Sequence, residues 1–435
     1  MSKVYGIDLG TTNSLIGCYE TGYLSDLVPS CVDMKTGHAG KDEYDNMNAE
    51  RSFKINMSMG TEGILPREAS AYVLKELANQ VKDDKVKDVV ISVPAYFTQV
   101  QRSATMESAK LAGLNVIGLV NEPTAAAMYI AREKKGLFVV YDLGGGTFDV
   151  SIIDSRFGTF DVQATDGCIV GGDDLDRNIM RYFLKQGHIP IHKVNAECQR
   201  RLIHEATKAK VNMQKIRAPF PVDLYDFGGE SILFTPEDYV QLMKLTFSNT
   251  INCARTLINK WIPTNERFDI LLVGGSTHCP YLKEWLADEL GVEPNPVSYD
   301  PDRVVAQGAA LYADVISRGE LGTTVSDVTT ALSIALRDGT ASNIVEANSK
   351  IPLSVEKVFS NPVDASSLTL DLYQGDSLWV KDNVFIGELV WDYDTVKPAN
   401  IGQVIVNIHI DSNGIITFSA HELLREPKTI ILNRK

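Results

Sequence analysis

Two short strings place acids, glycines and hydroxyls at a spacing that suits a phosphate group. Asp8, Leu9, Gly10, Thr11 and Thr12 form the first; Asp142, Leu143, Gly144, Gly145, Gly146 and Thr147 form the second. Glycines let the backbone approach a ligand closely and adopt conformations closed to other residues. A turn's N–H groups can then point into one concavity that cradles phosphate oxygens, and the threonine hydroxyls add donors. The aspartates repel a phosphate on their own. They make sense there if a hard cation such as Mg²⁺ lies between, contacted through water. Two such turns on two lobes can clamp one polyphosphate between them. A third element, Gly274, Gly275, Ser276 and Thr277 after an apolar run, allows a flat group to lie against bare backbone.

These turns need strands to hold them. Apolar runs at 4–7, 89–93, 138–141 and 270–273 read as strands, and stretches 69–81, 98–112 and 236–260 as helices. Strands alternating with helices predict an α/β domain over residues 1–319. The near-repeat of the two aspartate–glycine strings predicts two related lobes facing one cleft. After about residue 322 the pattern changes to period two, as in 368–372, 404–410 and 415–418, punctuated by Gly, Asn, Asp and Pro. This predicts a small all-β domain over 327–435, with 320–326 as a linker.

Composition narrows the classes. The 435 residues are 44% hydrophobic and 23% charged, which excludes a disordered or collagen-like chain. A net charge of −14 argues against a nucleic-acid partner, whose phosphates call for cations. No apolar run reaches the ~18 residues a membrane span needs. Six cysteines without regular spacing suit a reduced, cytoplasmic setting.

Longer strings carry a resemblance. Residues 6–14 (GIDLGTTNS), 93–97 (VPAYF), 121–127 (NEPTAAA), 141–151 (YDLGGGTFDVS), 171–176 (GGDDLD) and 272–277 (LVGGST) resemble, in this order, the 70-kDa heat-shock chaperones, the DnaK-like family within the actin and sugar-kinase superfamily. The resemblance runs over nearly the whole chain. It implies a two-lobed actin-like ATPase domain followed by a β-sandwich that binds extended, hydrophobic segments of unfolded polypeptides, with ATP or ADP and Mg²⁺ as cofactors. By resemblance, Asp8 and Asp142 hold the water shell of Mg²⁺, and Thr11, Thr12 and Asn13 with Gly10 form the first phosphate turn. Gly144, Gly145 and Gly146 form the second. Lys54 is the catalytic lysine near the γ-phosphate and the attacking water, Glu122 senses metal and nucleotide, and Thr147 and Asp149 lie near the γ-phosphate. Gly171, Gly172, Lys210, Gly274, Gly275, Ser276, His278 and Asp302 are the remaining phosphate-, ribose- and base-side contacts. Leu336, Phe359, Leu368 and Leu370 fall near the family's peptide cleft, although strand alternation alone also predicts them as sandwich core.

The departures from the family are as informative. The base-stacking arginine after the Gly-Gly-Ser-Thr string is His278, and two positions of the base-side helix are Thr207 and Gln214. Weakened nucleotide affinity is expected, because a planar guanidinium is lost. The outer part of the first lobe is shortened on both sides of Lys54. The helical lid is expected to be missing, the linker is far less apolar than the family's, and the arginine that holds J-domain co-chaperones is Gly118. A J-domain partner is therefore doubtful and an exchange factor unknown. The leading expectation is a slow ATP-hydrolysing, peptide-binding chaperone of reduced build. The alternative is a non-catalytic ATP sensor or scaffold serving a dedicated partner. A small-molecule kinase is disfavoured, since no acceptor base is evident.

Overall fold

The computed structural model describes residues 3–44, 46, 48–57, 66–82, 85–190, 192, 194–295, 299–319, 325–422 and 426–432. Its helices are α1 (Pro66–Gln80), α2 (Gln99–Leu111), α3 (Glu122–Ile130), α4 (Gly172–Gln186), α5 (Ala196–Ile216), α6 (Pro236–Trp261), α7 (Pro280–Leu290) and α8 (Val304–Arg318).

Two mixed sheets form the lobes, and both are built alike. In the first, strand Val4–Asp8 pairs antiparallel with Asn13–Cys18 and parallel with Asp88–Val93. In the second, Leu137–Leu143 pairs antiparallel with Phe148–Asp154 and parallel with Asp269–Val273. The two aspartate–glycine strings are thus the tips of equivalent hairpins, as the near-repeat predicted. Strands Val4–Asp8 and Leu137–Leu143 are almost wholly apolar and buried, which fixes the hairpin tips rigidly.

Helices α3 and α8 pack between the lobes, and their closeness depends on small residues. A Cβ on Gly308 would stand 1.8 Å from the carbonyl oxygen of Ala125, and one on Gly6 would stand 2.0 Å from the amide of Ala310. Outside the first sheet lies a small three-stranded sheet of Cys31–Asp33, His38–Ala39 and Glu50–Arg51. It is followed by a 3₁₀ turn, Phe53–Asn56, that carries Lys54.

Beyond residue 325 two four-stranded antiparallel sheets face each other. Val404, Val406, Ile408 and Ile410 alternate inward along one strand and meet Leu332, Leu372 and Leu389 from the other sheet. Period-two patterning with one buried face gives this sandwich directly. Among the described residues, the helical structure here is one short 3₁₀ turn, Val380–Asp382. Of the expected linker, residues 320–324 lie outside the described residues. Val325 and Ser326 belong to a strand that extends the second lobe's sheet by pairing parallel with Phe160 and Asp161.

The sandwich is docked on the first lobe. Thr98 caps α2 in a capping box with Gln101, presenting the first turn of α2 to the β domain. The Gln99 amide donates to Gln374 Oε1 at 2.7 Å, and Ile416 N–H donates to Gln99 Oε1 at 2.8 Å. The buried Arg102 guanidinium donates to the carbonyls of Phe97, Ala95 and Asn413 and to Asn121 Oδ1, at 2.8–3.1 Å. Leu119 N–H donates to Asn413 Oδ1 at 2.9 Å. Gly118 lies under this loop, so a Cβ there would stand 3.1 Å from Ile316 and 3.8 Å from Asn413 Oδ1.

This latch makes a testable prediction. Arg102→Ala leaves three carbonyls and an amide oxygen without their charged donor, at a cost of about 2–5 kcal/mol. Hydrogen exchange should rise at the Leu119 and Ile416 amides first, since both donate across this interface. Unchanged protection at those two amides would remove Arg102 from the latch.

Candidate functional site

The hairpin tips from the two lobes meet at a cavity of about 320 Å³. A Cβ on Gly145 would stand 1.9 Å from Thr12 Oγ1, so the turns oppose each other directly. Of the residues singled out in the sequence, Asp8, Gly10, Thr11, Thr12, Asn13, Lys54, Glu122, Asp142, Gly144, Gly145, Thr147, Gly172, Lys210, Gly274, Gly275, Ser276 and Asp302 line it. Asp149, Gly146, Gly171 and His278 do not reach its wall. Gly274 takes φ 83°, a left-handed conformation that suits glycine, and a Cβ there would stand 2.8 Å from Asp142 Oδ1.

The floor is electrostatically unusual. Lys54 is buried, with Nζ 2.5 Å from Glu122 Oε1 and 5.6 Å from the centre of the Phe97 ring. Around this pair stand Asp8, Asp142 and Asp149. Ser92 Oγ donates to Asp8 Oδ1 at 2.8 Å, and Ala95 N–H donates to Asp149 Oδ1 at 2.9 Å. Burial, followed by repulsion from Glu122, pushes the Asp8 carboxyl up to about 7. The same two causes, in the same order, hold Asp142 and Asp149 well above the usual carboxylate range. Four acids share one lysine, so the cluster lacks positive charge.

That deficit is the test for a metal, and the residues fit one. A hard dication beside Asp8 and Asp142 would relieve the repulsion. Among the described residues, the ligand atoms that all lie within 4.8 Å of one another are those of His278, Asp300 and Asp302, away from the floor.

The wall on the expected base side comes from α5. Thr207, Lys210, Val211 and Gln214 on α5 form that wall. Lys210 Nζ donates to Asp176 Oδ2 at 2.9 Å and to the carbonyl of Gly172 at 3.1 Å. It therefore ties α5 to the turn that opens α4. His278 turns aside: its Nε2 lies 3.0 Å from Asp302 Oδ2, and that contact raises its pKa above the ordinary imidazole value.

Several members escape sequence reasoning. Ser52, held at φ 53°, hydrogen-bonds to Asp173 across the cleft, 121 residues away. Ser14 and Ser30 share a 2.8 Å hydrogen bond, and Ser30 Oγ donates to the Gly10 carbonyl at 2.8 Å, bracing the first turn. No local string signals these partners. Leu27, Tyr44, Val211, Pro301 and Val305 add apolar wall.

On the β domain, Leu368 is buried in the sandwich core, Phe359 and Leu370 pack partly buried against it, and Leu336 is exposed.

Twin hairpin turns, a buried lysine among acids, and a β-sandwich docked behind them define a nucleotide-binding, chaperone-like protein with a two-lobed actin-like domain. The comparisons agree. The Hsp70 protein family matches residues 43–433. Chaperone protein DnaK of Mycoplasma mobile is 34% identical over 460 aligned residues, which cover 96% of this chain and 76% of that protein. The chain belongs to the Hsp70 family. No described helix is long and apolar enough to cross a membrane.

Proposed function

We propose that this chain binds ATP with Mg²⁺ between its lobes, hydrolyses it slowly, and binds extended hydrophobic segments of unfolded polypeptides in the cytoplasm. The observation that supports hydrolysis best is the buried Lys54–Glu122 pair facing both phosphate turns. Gly10 to Asn13 and Gly144 to Thr147 supply backbone and hydroxyl donors to the phosphate chain. Lys54 Nζ offsets the charge that spreads over the γ-phosphoryl oxygens as water attacks. Glu122 fixes the position of that ammonium. Asp149, held by the Ala95 amide, and Thr147 orient the water and accept its hydrogen bonds. Mg²⁺, held through water by Asp8 and Asp142, would supply charge neutralisation along the phosphates. Single-turnover hydrolysis by the wild-type chain tests this reading.

The base side supports weak binding. Engaged by Asp302, His278 does not replace a stacking guanidinium, and such a contact is worth about 1 kcal/mol. Calorimetry should give an ATP Kd roughly five- to tenfold weaker than that of a family member that keeps the stacking arginine. An equal Kd would show that another group holds the base.

For the β domain we propose a peptide cleft around Leu336, Phe359 and Leu370, with Leu368 beneath it. An extended segment would use backbone hydrogen bonds and one apolar pocket. Among the described residues of the β domain the helical structure is one short 3₁₀ turn, so residues 1–435 should release a fluorescent peptide at rates that change less than about threefold between ATP and ADP. A many-fold slower release in ADP would contradict this.

The second reading, a non-catalytic sensor, draws support from the docked β domain. Asp149 holds the Ala95 amide and Arg102 joins Ala95 to Asn413, so a lobe closure that moved the first contact would reach the β domain. Such a chain would signal by occupancy alone.

A further inference from the structure

A second, larger cavity of about 520 Å³ adjoins the first on the far side of the first phosphate turn. Thr11, Thr12, Tyr44, Asp173, Asp176 and Thr207 line both, so the two are chambers of one cleft. The second chamber is walled by the outer sheet of the first lobe and by α4 and α5 of the second.

Its walls are basic. Arg51 comes from the outer sheet, Arg177 from α4, and Arg200 and His204 from α5. Arg200, Ile203, His204 and Thr207 recur at helical spacing and so share one face of α5. Arg177 pairs with Asp174, and Arg51 donates to the carbonyls of Glu43 and Tyr44. For Arg200 and His204 no hydrogen bond or ion pair is found with any described residue. The two acids in the wall are already engaged, Asp173 by Ser52 and Asp176 by Lys210. Ser52 at the rim is held in the left-handed region, a strain that persists where surrounding contacts impose it.

We infer that this chamber is a second anion site, which takes a small phosphate-bearing molecule beside the bound nucleotide. Arginine forks match phosphate oxygens two at a time. Thr11 and Thr12 lie between the chambers and can donate to either occupant. The volume exceeds that of a bare phosphate, and Tyr44, Ala49 and Ile203 offer an apolar wall to an organic body. The inference rests on the nucleotide occupying the first chamber, as proposed above.

The test is a calorimetric titration of the full chain, saturated with ADP and Mg²⁺, with inorganic pyrophosphate. A second saturable event is expected. The double variant Arg200→Ala/His204→Ala should weaken it at least tenfold and leave the ADP Kd and the melting temperature unchanged. No heat from pyrophosphate, the same affinity in the double variant, or simple displacement of ADP would each overturn the second site. If ADP itself fails to bind, the proposed function falls; the inference then stands or falls on whether the double variant weakens pyrophosphate binding to the nucleotide-free chain.

Discussion

Asp8→Asn should make the nucleotide-free protein more stable at pH 8 and at the same time remove its Mg²⁺-dependent nucleotide binding. The folded chain holds the Asp8 proton up to about pH 7, whereas an unfolded aspartate releases it near 3.8. Between those values the native state binds more protons than the unfolded state. Stability therefore falls as pH rises through that window and levels off above it. Three pH units correspond to at most about 4 kcal/mol for this group. Asparagine keeps the acceptor for Ser92 and carries no charge, so it flattens the slope. Thermal melts from pH 5 to pH 8, with and without Mg²⁺–ADP, read both effects. The wild-type melting temperature should decline with pH when nucleotide-free, and the ligand should lift it most at pH 8. The variant should show a shallower decline and little lift. Identical pH slopes for the two proteins would mean that burial and the neighbouring Glu122 do not hold Asp8 above the ordinary carboxylate range.

Lys54→Ala should lower single-turnover hydrolysis by roughly 10²–10³-fold while ADP remains bound. Removing one preorganised donor from developing charge has effects of that size. The substitution also strands Glu122, buried and unpaired, and breaking a buried pair costs about 3–5 kcal/mol. Lys54→Gln, which leaves Glu122 a hydrogen-bond donor, separates the two effects. It should regain most of the melting temperature and little of the rate. A Gln variant as active as wild type would assign Lys54 to folding alone.

The hairpin tips were legible because their requirements are local. Glycine freedom, a hydroxyl and a preceding aspartate are adjacent in sequence, and the apolar strands on either side announce themselves. The same holds for the sandwich, whose strand 403–410 alternates over its whole length. What remained hidden depends on tertiary closure. Ser52 meets Asp173 because the outer sheet folds over the cleft, and nothing near either residue specifies that. Arg102 sits on a helix with nothing local to mark it; tertiary packing buries it against three acceptors of the first lobe and the Asn413 carbonyl of the β domain. His278 is expected among the base-side contacts, whereas its Nε2 meets Asp302 and the residue does not line the cavity. Leu368 was ambiguous between cleft and core for a physical reason, since inward alternation serves both, and its burial favours the core.

Val325 and Ser326, the described part of the expected linker, extend the second lobe's sheet by pairing with Phe160 and Asp161. The path from the acid floor to the β domain is short: Asp149 holds the Ala95 amide, Arg102 holds the Ala95 carbonyl, and Arg102 also holds Asn413. Any change at the phosphate end that moves residues 95–97 therefore acts on the interface.

The most direct test of the central claim is single-turnover hydrolysis of radiolabelled ATP by the wild-type chain with Mg²⁺ in excess. Release of labelled phosphate, lost in Lys54→Ala, is the predicted result. ATP that binds but stays intact in both proteins would contradict it, and would leave the sensor reading in its place.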